Sequence, residues 1–510
     1  MRCSQLTLFL LLKLDRLVAL VVLVGLDMLE KFIQNRIIQC LPFAANEGQM
    51  ELLDKLSRFI TSQESHKAFI LRGYAGTGKT SIMAALVQSL KQLNQRFVLL
   101  APTGRAAKVL GRYAGHPAYT IHKYIYRQKQ LGEEVFTLND NLHKHTLFII
   151  DEASMISGVR EAHSFGSGML LDDLVKYVYS GEGCSMLTLG DDAQLPPVGS
   201  VVSPALQADY MLGYQLNIST HTLTQVARQA LDSGILENAT KLRDLALGTT
   251  LPTEENEVEE LWKILEEKAD IKTIAPQELQ ELIEASHNEV GEEETILLTR
   301  TNKRTNIYNQ GIRARILWRE DEISSGDRVM ISKNNYFWTE KYEDLPFIAN
   351  GDMLEIVRLR NMREMYGYRF VDAQLRAVDY DWEIDAVLWI DTLYSDSAEA
   401  TQQMQRDLFS KITEDYPELQ HNKKELIKTI YQSPYYNALQ MRFAYAITGH
   451  KSQGGQWKHV FIDPYKGQPT PTPSLKGREQ HGEEARSFYR WIYTAITRAT
   501  ERVYVVRVES

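Results

Sequence analysis

Short apolar runs separated by helical stretches dominate the chain from Gln49 to about Gly190. The runs AFIL, RFVLLA, TLFII and SMLTLG each end in a polar loop of distinctive residues. Strands so uniformly apolar are buried on both faces, which predicts a parallel sheet between helical layers. Chemistry in such sheets collects beyond the carboxyl ends of the strands. A second alternation of this kind opens at TILLTR (Thr295 to Arg300), resumes at MRFAYAI (Met441 to Ile447) and closes with RVYVVRV (Arg502 to Val508). Between about Asp327 and Ile390, the runs DRVMIS, LEIVRL and AVLWI have β character and predict a small inserted β domain. A helical excursion follows, through Gln402 to Ile430. Tyr124 to Asp140 reads as two short strands around Gly132, with β alternation in EVFTL. Ser233 to Glu294 reads as an acidic, solvated helical region, and Gly467 to Gly482 as a Pro- and charge-rich surface loop. The expected organisation is α/β. An apolar leader (1–27) precedes a first lobe (28–232, hairpin about 124–140), an acidic helical region (233–294) and a second lobe (295–510, insertion about 327–440).

At 510 residues the chain is too long for one ordinary core. Hydrophobic residues at 44% and charged residues at 24% are those of a globular protein. Cys3, Cys40 and Cys184 are too scattered for a structural zinc or a disulfide framework, and a reducing cytoplasm fits them. The net charge of −9 argues against a nucleic-acid partner only at first sight. Thr253 to Glu294 holds 15 acidic and 3 basic residues, a local −12 that leaves the remainder at +3. The leader LTLFLLLKLDRLVALVVLVGL is cut by Lys13, Asp15 and Arg16 into runs too short to span a bilayer. We take Met28 as the start of the functional protein and expect no membrane association.

Gly73-Tyr-Ala-Gly-Thr-Gly-Lys79-Thr80 follows the strand AFILR and precedes the helical SIMAALVQSLKQL, the context a P-loop requires. Gly73, Ala75, Gly76, Thr77 and Gly78 would turn backbone N–H groups toward phosphates, with the helix dipole behind them. Lys79 would reach the β- and γ-phosphates, and Thr80 would ligate Mg²⁺. Asp151 and Glu152 stand just past TLFII, some 70 residues on, as a Walker B pair. Asp151 would hold Mg²⁺ and Glu152 would orient and deprotonate the attacking water. These features predict an ATP-hydrolysing enzyme and leave open what the hydrolysis drives.

Further segments make the chain resemble the superfamily 1 helicases, nearest the RecD-like and Dda-like branch, over nearly its whole length from about Met28. APTGRAAKVL (Ala101 to Leu110) resembles motif Ia, TIH (Thr120 to His122) motif Ib, and LGDDAQLPPVG (Leu189 to Gly199) motif III. LTQVARQ (Leu223 to Gln229) resembles motif IV, AYAITGHKSQGGQW (Ala444 to Trp457) motif V, and YTAITRA (Tyr493 to Ala499) motif VI. The resemblance implies two RecA-like lobes, a small hairpin pin that splits duplex, and a small β-barrel insertion that closes over the strand. It makes Gln194 a γ-phosphate sensor, Arg228 and Arg498 transition-state arginines, and Gln49 an adenine reader. Gly455 and Gln456 would sit at the ribose, although relatives often carry glutamate where this chain has Gln456. Pro102, Thr103, Gly104, Thr120, His122, Thr448, His450 and Ser452 would hold the strand backbone, which positions a strand without reading its sequence. Phe136, on the returning pin strand, would stack on a base, or would simply pack the hairpin onto its lobe. The implied partners are single-stranded DNA and DNA forks, engaged by a monomer moving 5′ to 3′. An RNA helicase of the same superfamily, a non-translocating ATPase switch and a membrane-tethered regulator remain as alternatives.

Overall fold

The structure is a computed structural model. It describes residues 25–508 except 129–135, 161–164, 227–232, 250–255, 343–344, 346, 396, 420 and 466–477, with backbone alone at 398 and 478–482. The first half of the chain forms β1 (Lys67–Gly73), β2 (Arg96–Ala101), β3 (Ala118–Thr120), β4 (Tyr126–Gln128), β5 (Phe136–Leu138), β6 (Thr146–Ile150), β7 (Ser185–Gly190) and β8 (Asn217–Leu223). The second half forms β9 (Ile271–Ile274), β10 (Thr295–Thr299), β11 (Arg328–Ile331), β12 (Met353–Met365), β13 (Tyr368–Ala377), β14 (Glu383–Trp389), β15 (Met441–Phe443), β16 (Ala446–Thr448), β17 (Trp457–Asp463) and β18 (Ala499–Val506).

Two parallel sheets make two RecA-like lobes. The first runs β3-β2-β6-β7-β1-β8 and the second β16-β10-β17-β18-β9. Every residue of β6, β7 and β10 is buried, as strands covered on both faces must be. The parallel order brings the ends of β1, β2, β6 and β7 to one edge, and with them the P-loop, motif Ia, Walker B and motif III.

The inserted domain is an antiparallel sheet, β14-β13-β12-β11-β15. Leu439 closes it: its N–H donates to Val387 O (2.8 Å) and its carbonyl accepts from Trp389 N–H (3.0 Å), joining the β14 edge to the approach of β15. This is the barrel-type insertion expected. The helices Ala398–Glu414 and Lys423–Tyr431 form the excursion and pack Leu408, Ile412 and Ile430 onto Phe370 and Trp389.

Three sequence-based expectations need correction. MRFAYAI is not one strand: β15 pairs antiparallel with β11 of the insertion, and β16 pairs parallel with β10 of the lobe. The acidic region is not purely helical or solvated. Its β9 is an edge strand of the second sheet, and its helix Gly234–Ala246 lays Ile235, Ala239 and Leu242 into the core formed with the helix Arg478–Ile496. That last helix starts inside the stretch read as a surface loop. Among the described residues no helix is long and apolar enough to cross a membrane. Most of the leader lies outside them.

Candidate active site

The P-loop leaves β1 at Gly73 and enters the helix Lys79–Gln92 through Gly78 at φ +86°, a left-handed conformation that glycine adopts without strain. A Cβ there would also come within 2.8 Å of Gln49 Nε2. Lys79 Nζ donates to Gly73 O and to Tyr74 O (2.9 Å). Thr77 Oγ1 donates to Tyr74 O (2.7 Å), and Thr80 follows in the helix's first turn. Gln49 is 1% exposed, and both its amide nitrogen and its amide oxygen find partners. Nε2 donates to Thr77 O (3.0 Å), and Oε1 accepts from Asn46 N–H (3.0 Å) in a capping box. Here Gln49 braces the P-loop from the helix that precedes it.

Asp151 and Glu152 stand at the end of β6. Glu152 adopts φ +51°, strained backbone for a residue with a Cβ and the kind of cost concentrated at functional sites. Its N–H donates to Asp151 Oδ1 (2.9 Å). Burial, then the neighbouring Glu152, push the Asp151 carboxyl up to about 7, against the opposing pull of the Glu152 N–H and the nearby Lys79 ammonium. Asp191, at the end of β7, is also raised by burial and also eased by Lys79. One lysine therefore serves two buried carboxyls from different strand ends. Gln194 is buried beyond Asp191, and its Oε1 has no partner among the described residues. An unpaired buried amide oxygen beside a phosphate-binding loop suits a group that waits for a hydrogen-bond donor such as water.

The second lobe completes the site. Arg498 is buried, anchored by bonds from Nε to Thr494 O (3.1 Å) and from Nη1 to Gly455 O (3.3 Å). Its Nη1 lies 3.8 Å from Glu152 Oε1. The arginine expected at the transition state thus meets the Walker B glutamate directly. Arg228, the other arginine expected there, lies outside the described residues.

Two residues that the motifs contained were not singled out in sequence. The Tyr493 hydroxyl accepts from Ala75 N–H of the P-loop (3.0 Å) and donates to Asp191 Oδ2 (2.6 Å). Both positions carried a signal. A tyrosine on the buried face of a helix must find a partner for its hydroxyl, and Asp191 ends an apolar strand as Asp151 does.

The strand-binding set is brought together only in part. Thr103 and Thr120 are N-caps, accepting from Ala106 N–H and Lys123 N–H (both 3.3 Å), at the carboxyl ends of β2 and β3; Thr120 is buried and Thr103 half-buried. Pro102 is half-buried beside Thr103. His122 rests edge-on to Phe165 at 5.1 Å. Thr448 is half-buried and His450 exposed. Ser452 is fully buried with its hydroxyl donating to Gly449 O (2.8 Å), so it shapes motif V and cannot touch a strand. Gln456 faces the motif Ia helix Gly104–Ala114: its carbonyl accepts from Arg105 Nη2 (3.0 Å) and its side chain from the Tyr113 hydroxyl (3.4 Å). Gly104 is covered by the inserted domain, where a Cβ would collide with the Tyr380 ring. Lys108, one turn on, pairs with Asp379 at 3.9 Å.

β4 and β5 pair as an antiparallel hairpin, Tyr126↔Leu138 to Gln128↔Phe136. The pin tip, expected from about Gln128 to Glu134, lies outside the described residues beyond Gln128. Phe136 is 2% exposed, packed on Phe165 (4.8 Å), Tyr336 (4.6 Å) and Phe347 (6.0 Å). The stacking role is therefore corrected: Phe136 fastens the hairpin to its lobe and to the insertion. Among the described residues no cluster of three or more His, Cys, Asp or Glu side chains could hold a metal ion. A magnesium site here would rest on Thr80 and Asp151.

A family model described as an AAA domain matches residues 44–257. The chain is 24% identical to an uncharacterised protein of Acanthamoeba polyphaga mimivirus, an alignment covering 90% of this chain and 99% of that protein. It is 30% identical to the ATP-dependent RecD2 DNA helicase of Deinococcus radiodurans over 38% of this chain, which spans 23% of that helicase. Among solved structures, the Pif1 helicase from Candida albicans matches with a TM-score of 0.43 at 16% identity, covering 92% of this chain and 95% of that one. The enzyme hydrolyses ATP, with the matched AAA domain as its nucleotide-binding lobe, and its ordered motifs resemble those of the superfamily 1 helicases of the RecD-like branch.

Proposed function

We propose that this helicase translocates on single-stranded DNA, 5′ to 3′, and opens duplex ahead of it with energy from Mg-ATP hydrolysis. The observation that carries the reading is the 3.8 Å approach of Arg498 to Glu152. A hydrolysis site that takes an arginine from the second lobe is sensitive to lobe motion, and a motor exploits that sensitivity. Lys79 fixes the β/γ charge, and Glu152 orients water and takes its proton. Gln194 senses that water or the γ-phosphate, and Arg498 meets the charge that develops in the transition state. Thr80 and Asp151 are hard oxygen donors on adjoining elements and fit Mg²⁺, which takes few protein ligands and completes its shell with phosphate oxygens and water. Bound there, the ion would neutralise β- and γ-phosphate charge.

Motif Ia, Thr120 and the motif V segment with Thr448 and His450 supply the strand track, and the covering barrel supplies its roof. DNA is favoured over RNA because the relative with 30% identity is named a DNA helicase; the polarity rests on the resemblance to its branch. ATPase rates with no polymer, with single-stranded DNA and with RNA, measured in parallel, test the reading. Stimulation by DNA well above that by RNA is expected. Equal rates in all three would leave an ATPase switch, and preference for RNA would move the substrate class.

A further inference from the structure

We propose that Tyr493 is a positioning residue for ATP hydrolysis, whose hydroxyl lets the second lobe set the geometry of the phosphate cradle. The inference deepens the reading of the site as a lobe-gated ATPase and rests on it. Tyr493 is 1% exposed in the helix Arg478–Ile496. Its two hydrogen bonds reach 418 residues back to Ala75 and 302 residues back to Asp191. Ala75 N–H belongs to the loop whose amides face phosphates, and Asp191 shares the Lys79 charge with Asp151. One phenol thus joins the P-loop to motif III from across the lobe interface.

Its neighbours hold the same loop. Leu195 N–H donates to Thr494 Oγ1 (3.0 Å), and Leu195 O accepts from Gln453 Nε2 (2.6 Å). Arg490 Nη1 donates to Gln194 O (3.4 Å), so Gln194 and Asp191 are presented by a segment that the second lobe grips at four points. The grips differ in what they touch. Thr494, Gln453 and Arg490 hold motif III by its backbone, whereas Tyr493 alone of the four also reaches the P-loop. Burial beside Asp191 keeps the phenol protonated, so it remains both donor and acceptor through the working pH range. A small movement of the motif VI helix would release an amide of the cradle and a carboxyl near Lys79 together.

The test uses the full chain with Tyr493→Phe, which keeps the buried ring, and Thr494→Val as the comparison at the adjacent grip. ATP hydrolysis is measured with and without single-stranded DNA, alongside thermal melting. For Tyr493→Phe, kcat should fall about tenfold or more while KM for ATP stays within about twofold, because the lost contact matters to geometry more than to binding. Thr494→Val should keep most of its kcat. Unchanged kcat in Tyr493→Phe, or an equal loss in both variants, would overturn the proposal and leave Tyr493 as interface packing. If Tyr493→Phe does not fold, Asp191→Asn against Asp191→Ala decides. The amide keeps an acceptor for the phenol and should retain more kcat, and equal loss would again overturn it. The split is read on basal hydrolysis too, so it tests Tyr493 even where strand stimulation, and the motor reading with it, fails.

Discussion

Arg498 is the residue whose neighbours could least be guessed from its surroundings in the chain. Its guanidinium has three anchors within its own lobe and one carboxylate in the other. Arg498→Ala should lower kcat roughly 10³-fold or more with a much smaller effect on ATP affinity, as for arginines that act in the transition state. Rapid-quench turnover with a nucleotide-binding assay measures both, and lost affinity with normal saturated turnover would make it a binding residue. Lys79 and Glu152 were legible because a P-loop and an Asp-Glu pair are local patterns. Tyr493 and Asp191 were not, because their partners lie hundreds of residues away. Lys451 adds a pH dependence. Its side chain reaches solvent but is confined beside the insertion, where Nζ donates to Asn350 Oδ1 (2.8 Å). That confinement, with Arg442 nearby, lowers its ammonium to about 8. The cation is present at pH 7 and lost as pH rises through 8. Affinity for single-stranded DNA should therefore fall between pH 7 and 9, and the salt slope should shrink by about 0.7, the value of one phosphate contact. Lys451→Gln should flatten that pH response; an unchanged response would remove Lys451 from the strand track.

Elements were legible where their burial is decided locally, and obscure where it is decided by a distant partner. β1, β2, β6 and β7 are apolar enough to declare themselves. β9 is four residues in acidic surroundings, and only its place beside β18 makes it a strand. β15 and β16 read as one run because both are apolar, yet they belong to different sheets. The hairpin was legible as β4 and β5, but whether Phe136 faced a base or the core depended on Tyr336 and Phe347, some 200 residues away. Phe136→Ala should cost about 3–5 kcal/mol of stability, the range for a buried phenylalanine. Binding of single-stranded DNA by the folded fraction should be unaffected. Calorimetry paired with anisotropy checks this, and normal melting with weakened binding would restore the stacking role. At the motif V turn, Gly454 has φ +74°, and a Cβ would come within 2.7 Å of Ala106 Cβ on the motif Ia helix. Gly454→Ala adds left-handed strain, of order 1–3 kcal/mol, to a clash between lobes. Hydrolysis by the full chain should fall, read beside the thermal melting of the same variant. Full activity in Gly454→Ala would show that this approach is not needed.

At the scale of the molecule, the two lobes are joined at a chemical site as well as at a packing surface. Leu195 and Ala193 of motif III sit in the core built by the second lobe, and Arg105 lies over the Trp457 ring at 4.0 Å. Such an interface would hardly be needed by an ATPase confined to the first lobe, but a motor that converts hydrolysis into relative lobe movement requires it. The most direct measurement is release of a labelled strand from duplexes with a 5′ tail, a 3′ tail or blunt ends, with ATP and the full chain. The account predicts opening of the 5′-tailed duplex, none of the blunt one, and none by Lys79→Ala. ATP consumption that no DNA accelerates, with no strand released from any duplex, would contradict it.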